Sequence, residues 1–142
     1  MENLWPDSFE ESEEISPKRF FDNQAKNLAK ITNNLVFAEI EVLDEIDVEQ
    51  KMRNPFIYSF SIHGRHLRNY KFKVMTFSHD INIFPIKFRI DQELSEELEI
   101  PCTPFTPPHF VQDAENLEVL ARKIFQSRRV RTVVSSIMRL SK

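Results

Sequence analysis

The sequence predicts a small α+β domain: a mainly antiparallel four-stranded meander packed by an N-terminal helix and one or two C-terminal helices. Three observations predict it. Between residues 54 and 90, apolar and polar residues alternate in three consecutive runs, Phe56–Ile62, Tyr70–Phe77 and Ile81–Ile90, and a period of two marks half-buried strand. Helical spacing of apolar residues brackets these runs on both sides. The length of 142 residues suits one domain, which at this size buries about 68% of its unfolded surface.

Residues 1–15 read as a flexible acidic arm, and residues 16–142 as a single domain. The arm holds six acidic groups and no Lys or Arg. Like charges at that density oppose packing. Leu4, Trp5 and Phe9 interrupt it. They read either as stray apolar residues of a frayed terminus or as a short anchor for a basic surface, on this chain or another. The arm carries neither a basic n-region nor an apolar h-region, so it does not read as a signal peptide.

Ser16-Pro17 starts the first helix, Ser as N-cap and Pro at the first helical position. Phe21, Ala25, Leu28 and Ile31 or Thr32 form its apolar face, and Asn33-Asn34 can end it because Asn tolerates left-handed geometry. Strand one lies within Leu35–Val48, with Val36, Ala38, Ile40 and Val42 alternating against Phe37, Glu39 and Glu41. Strand two puts Phe56, Tyr58, Phe60 and Ile62 on one face. Strand three does the same with Tyr70, Phe72 and Val74, and strand four with Phe84, Ile86, Phe88 and Ile90. Pro85 cannot donate to a ladder, which places strand four at an edge or a bulge. The long connection 91–112 holds a helical turn at Leu94–Leu98, then four prolines that keep it extended, with Phe105 and Phe110 turned into the core. Asp113 caps a helix through Gln126 and Ser127 caps another. An unbroken helix over 113–140 would be about 42 Å long against a radius of gyration near ~14 Å, so a break falls near Ser127. Arg128, Arg129 and Arg131 then crowd a helix N-terminus, where each cation costs about 0.3–1 kcal/mol. An anion should compensate, from the arm, from 91–99, from a partner or from nucleic acid.

Composition excludes several chemistries. A single glycine, Gly64, rules out glycine-rich phosphate cradles, dinucleotide fingerprints and a Gly-x-Ser-x-Gly elbow. A single cysteine, Cys102, rules out an intramolecular disulfide and favours a reducing, cytoplasmic setting. No apolar run approaches the ~20 residues of a membrane span. The Asn, Ile, Lys and Phe content suggests an AT-rich, bacterial coding sequence. Asp44–Glu49 is acidic but lacks the glycine and ligand spacing of a calcium loop. His63 with His66, His79, and His109 with Cys102 lie in three separate connections, so no metal, cofactor or catalytic site is expected from them.

Two binding readings remain. Charge is segregated: residues 53–89 hold seven Lys or Arg against Asp80 alone, although the net charge is −3. Arg65, Arg68, Lys71, Lys73, Lys87 and Arg89, with Arg128, Arg129 and Arg131, could form a basic patch for nucleic acid around the outer sheet face and loop 63–73. Against this, aromatics and cations alternate onto opposite faces. The leading expectation is a non-enzymatic protein-binding module that self-associates. Phe37, Ile57, Met75 and Phe77 fall on the outer sheet face, and apolar residues on a solvated face mark interfaces; an edge strand offers a second route. An enzyme without a recognisable motif is the remaining alternative.

Overall fold

The computed structural model describes residues 2–12 and 14–141. Helix α1 spans Pro17–Ile31, and the Ser16 hydroxyl accepts from Arg19 N at 3.2 Å. The chain leaves the helix through two left-handed asparagines, Asn33 at φ 52° and Asn34 at φ 64°. Thr32 takes the buried position at this end, while Ile31 stays exposed. The Thr32 hydroxyl donates to Leu28 O and accepts from Val36 N, tying α1 to the first strand.

The strands are β1 Val36–Val42, β2 Phe56–Gly64, β3 Leu67–His79, β4 Ile86–Ile90 and β5 His109–Val111. They pair antiparallel in the order β1-β2-β3-β4-β5. The meander therefore has one strand more than the sequence predicts. β5 has only three residues and follows Pro107-Pro108, too short for alternation to show. Because β5 pairs with β4, the edge expected at Pro85 is not there. Pro85, after a cis bond, lies one residue before β4, where the ladder needs no donor. The helices α2 Gln92–Leu98, α3 Ala114–Phe125 and α4 Arg128–Leu140 are capped by Asp91, Asp113 and Ser127. The break at Ser127 gives two C-terminal helices. Among the described residues the fold is thus α+β, one five-stranded antiparallel sheet with four α-helices.

A β-bulge sets which residues enter the core. Phe60 pairs with Met75 but Ser61 pairs with Lys73, so Val74 has no opposite residue on β2. One extra residue reverses the phase of a strand. Before the bulge Phe72 faces the helices beside Ile62, and after it Met75 and Phe77 do so beside Phe60 and Tyr58. Phe21 of α1 sits at the centre. Its ring lies 4.8 Å from Phe77, 5.8 Å from Phe60, 6.3 Å from Phe88 and 6.2 Å from Phe125, within the range of favourable edge and tilted aromatic pairs. Phe105 and Phe110 do not plug this core; both are exposed, and Val111 fills the place instead.

The one glycine acts through space rather than through a turn. Gly64 ends β2, and a Cβ there would stand 2.6 Å from Ile137 Cγ2. Its bareness lets α4 lie on the end of the sheet. The basic connection shrinks to a two-residue turn, Arg65-His66. Among the described residues no helix is long and apolar enough to cross a membrane.

Candidate functional site

The outer sheet face is less open than its sequence suggests. Met75 and Phe77 are not on it, because the Val74 bulge turns both into the core. Ile57 does point outward, opposite Ser78, but it is buried. The connection 43–55 covers that part of the face. Leu43 N donates to Ile57 O, Asn54 Nδ2 donates to Ser78 Oγ, and the short turn Gln50–Met52 packs on β4 with Met52 buried. Of the four apolar interface candidates only Phe37 keeps partial exposure, and its ring stacks on His63 at 5.9 Å.

The basic candidates separate into paired and unpaired groups. Lys71 bonds Glu41 and lies 3.6 Å from Glu39. The Lys71 ammonium holds the Glu41 carboxyl below its usual range, and Glu41 raises Lys71 in return. Arg89 donates to Glu49 and to the carbonyls of Thr106 and Pro107. Lys87 donates to the carbonyl of Lys51. Arg129 is held by Asp91 and Glu93, both at 3.3 Å, and its guanidinium lies 4.7 Å over the Phe72 ring. The crowded N-terminus of α4 is compensated by α2: Glu97 accepts from Arg128 N at 2.8 Å and Arg129 N at 2.9 Å. Those N–H groups hold the Glu97 carboxyl below its usual range, with the Arg128 and Arg131 charges adding to the effect. Arg65, Arg68 and Lys73, near the β2–β3 hairpin tip, have no ion pair among the described residues, nor do Arg128 and Arg131 on α4.

The histidines and the cysteine do not converge. His63 lies 4.0 Å from Glu39, His66 is in the hairpin turn, and His109 is in β5, where burial pushes its pKa down. The Cys102 thiol donates to Ile90 O. His79 is buried against Phe56 and Tyr58 with Nδ1 bonded to Asp80 O and no partner at Nε2. Among the described residues no three His, Cys, Asp or Glu side chains gather to hold a metal.

What the structure does expose is an apolar groove of about 320 Å³ between α1 and α4. Leu28 and Ile31 form one wall, Val134 the other, and Phe60 and Ile62 of β2 with Phe125 form the floor. Arg131 stands on its rim. Beyond Arg131 the flank of α4 carries Arg128 and Arg139 among Thr132, Ser135 and Ser136. The groove forms because α1 and α4 both lie on the sheet with a gap between them, over a floor in which Phe60 and Ile62 are almost wholly buried. The sequence places Leu28 and Ile31 or Thr32 on the apolar face of the first helix and carries no signal that part of that face stays uncovered. None of the described arm residues lines the groove, and Leu4, Trp5 and Phe9 are 90%, 73% and 69% exposed. Comparison with protein-family models, with curated proteins and with solved structures gives no match to this chain.

Proposed function

We propose that this chain is a non-enzymatic protein-binding module that self-associates, and that it does so through the α1–α4 groove. One observation carries the reading: half-buried Leu28, Phe125 and Val134 and exposed Ile31 line a single concave surface with a cationic rim. Concave apolar surfaces with a few polar groups are the usual form of binding sites, and exposed contiguous apolar surface marks interfaces. The test is size exclusion with light scattering over a concentration series, comparing the protein with Ile31→Glu. Ile31 is 79% exposed, so the substitution leaves folding intact while placing a carboxylate in the groove. A dimer that Ile31→Glu converts to monomer supports the proposal. A monomer at every concentration, or a dimer indifferent to Ile31→Glu, overturns it. The half-buried Cys102 thiol, with no second cysteine to pair with, fits a reducing compartment and supports a cytoplasmic setting.

A second reading has its own observation. Arg65, Arg68 and Lys73 lie near the hairpin tip without ion-pair partners among the described residues, beside exposed Tyr70. Cations next to an exposed ring suit single-stranded nucleic acid, which pairs phosphates and stacks bases. Excess absorbance at 260 nm across the chromatographic peak, lost in high salt, would favour it.

A further inference from the structure

We infer that the occupant of the groove is the N-terminal arm of a second copy of this chain, with Trp5 and Phe9 as its anchors. The inference rests on the proposed reading of the groove as an assembly surface and adds what fills it. The Trp5 and Phe9 rings meet edge to face at 6.0 Å, so the arm presents them as one unit. The groove, at about 320 Å³, is at the small end of ligand-holding pockets, which start near ~300 Å³. It takes one or two large side chains rather than a folded element.

Charge matches as well as shape. The arm has six acidic residues and no Lys or Arg. The α4 flank beside the groove has Arg128, Arg131 and Arg139. An arm whose rings sit between Leu28, Ile31 and Val134 brings its carboxylates to those guanidinium groups. Such complementarity sets register and speeds association.

Exposure favours a second copy over the arm's own groove: Leu4, Trp5 and Phe9 are 90%, 73% and 69% exposed, so none is seated in the groove of its own chain. The groove runs along the C-terminal half of α1, from Gln24 to Ile31, whereas the arm leaves from the other end at Ser16. Ser16 is extended, at φ −69° and ψ 151°, and its side chain is committed to Arg19 N. Pro17 disfavours a helical turn in the residue before it. The arm therefore leaves α1 extended. Extended, residues 4–15 reach up to about 40 Å, enough to cross to a neighbour. Two copies related by a twofold axis then each give an arm and receive one, a closed exchange.

Trp5 is the single tryptophan, so its fluorescence reports on the arm alone. The experiment follows Trp5 emission and light-scattering mass together over a dilution series of the full chain. It is repeated for Ile31→Glu, Phe9→Ala and a chain lacking residues 2–15. The expected result is blue-shifted emission in the dimer and a red shift on dilution that tracks dissociation. Phe9→Ala weakens the dimer at least tenfold, and the truncated chain is monomeric with an unchanged far-ultraviolet circular dichroism spectrum. A truncated chain that stays dimeric while Ile31→Glu is monomeric overturns the arm inference and leaves the groove proposal standing. Blue emission that persists in the monomer overturns it in favour of the chain's own groove. Solvent-exposed emission in a stable dimer overturns it too. A full chain that is monomeric throughout overturns the groove proposal and this inference together.

Discussion

Arg89 should contribute more to stability than any other charged residue described, and through carbonyl groups rather than through its carboxylate partner. Its side chain is 12% exposed. Nη2 donates to Glu49 Oε1 and to Thr106 O, both at 2.6 Å, Nε donates to Glu49 Oε1 at 3.0 Å, and Nη1 donates to Pro107 O at 3.1 Å. One guanidinium thereby fastens two connections, 43–55 and 99–108, to the outer face of β4. A hydrogen bond to a charged group is worth about 1.5–3 kcal/mol net. Glu49 is 41% exposed, so solvent screens the ion pair to about 1 kcal/mol at most. The two carbonyls supply the rest. We expect Arg89→Ala to cost about 3–4 kcal/mol. Arg89→Lys, which keeps the charge but not the planar fork, should cost about 2 kcal/mol. Glu49→Gln should cost no more than about 1 kcal/mol. Urea unfolding followed by far-ultraviolet circular dichroism measures all three; tryptophan fluorescence would not, because Trp5 is on the exposed arm. Proteolysis around Phe105 should accelerate in Arg89→Ala. If Glu49→Gln destabilised the protein as much as Arg89→Ala, the ion pair would be the fastening and the argument from carbonyls would fail.

Gly64→Ala should destabilise by about 1–3 kcal/mol, the usual cost of overpacking, since the new Cβ would stand 2.6 Å from the buried Ile137 Cγ2. Ile137→Ala should then cost less in the Gly64→Ala background than alone, and a double-mutant cycle by urea unfolding gives the coupling. Glu97 has its carboxyl held low by the N–H groups of Arg128 and Arg129. Its contribution is therefore complete above the unfolded carboxylate range and lost as pH falls through the lower folded value. Thermal melts should show an acid-limb loss beginning below about pH 4–5 that Glu97→Gln flattens. Glu99 adopts φ 57° at the end of α2, so Glu99→Gly should raise stability by about 0.5–1 kcal/mol in the same melts, relieving left-handed strain against some added chain entropy.

Much of this fold is legible in the sequence because local chemistry writes it there. Ser16-Pro17, Asn33-Asn34, Asp113 and Ser127 each act at the position where their side chains or φ preferences place them. Alternation locates β2, β3 and β4 because each has one face on the helices. What alternation cannot carry is a change of phase. In Tyr70–Phe77 the residue types after Val74 are Met, Thr and Phe. The same letters suit either face, because Thr76 is tolerated beneath its neighbours on the outer side. Only the pairing of Ser61 with Lys73 reveals the extra residue. Burial of Ile57 was likewise out of reach, since it depends on a connection of acidic and polar residues folding back so that Met52 is buried over β4.

The same two features decide where a binding surface can be. The bulge moves Met75 and Phe77 into the core, and the 43–55 connection covers Ile57, so the outer face loses the apolar surface that the sequence assigns to it. Its cations are largely engaged with Glu39, Glu41, Glu49 and backbone carbonyls. The apolar excess reappears on the helix side. There four helices and one sheet must share a face, and a gap between α1 and α4 leaves Leu28, Ile31 and Val134 incompletely covered. A domain that buried Leu28, Ile31 and Val134 against each other would gain about 25 cal/mol for each Å² removed from water. Leu28 and Val134 are half-buried and Ile31 is exposed, so part of that gain stays unrealised within one chain while its own arm holds Leu4, Trp5 and Phe9 exposed. The exposed apolar side chains of the arm and those lining the groove, in opposite charge surroundings, are what the proposed exchange between two copies would bury together.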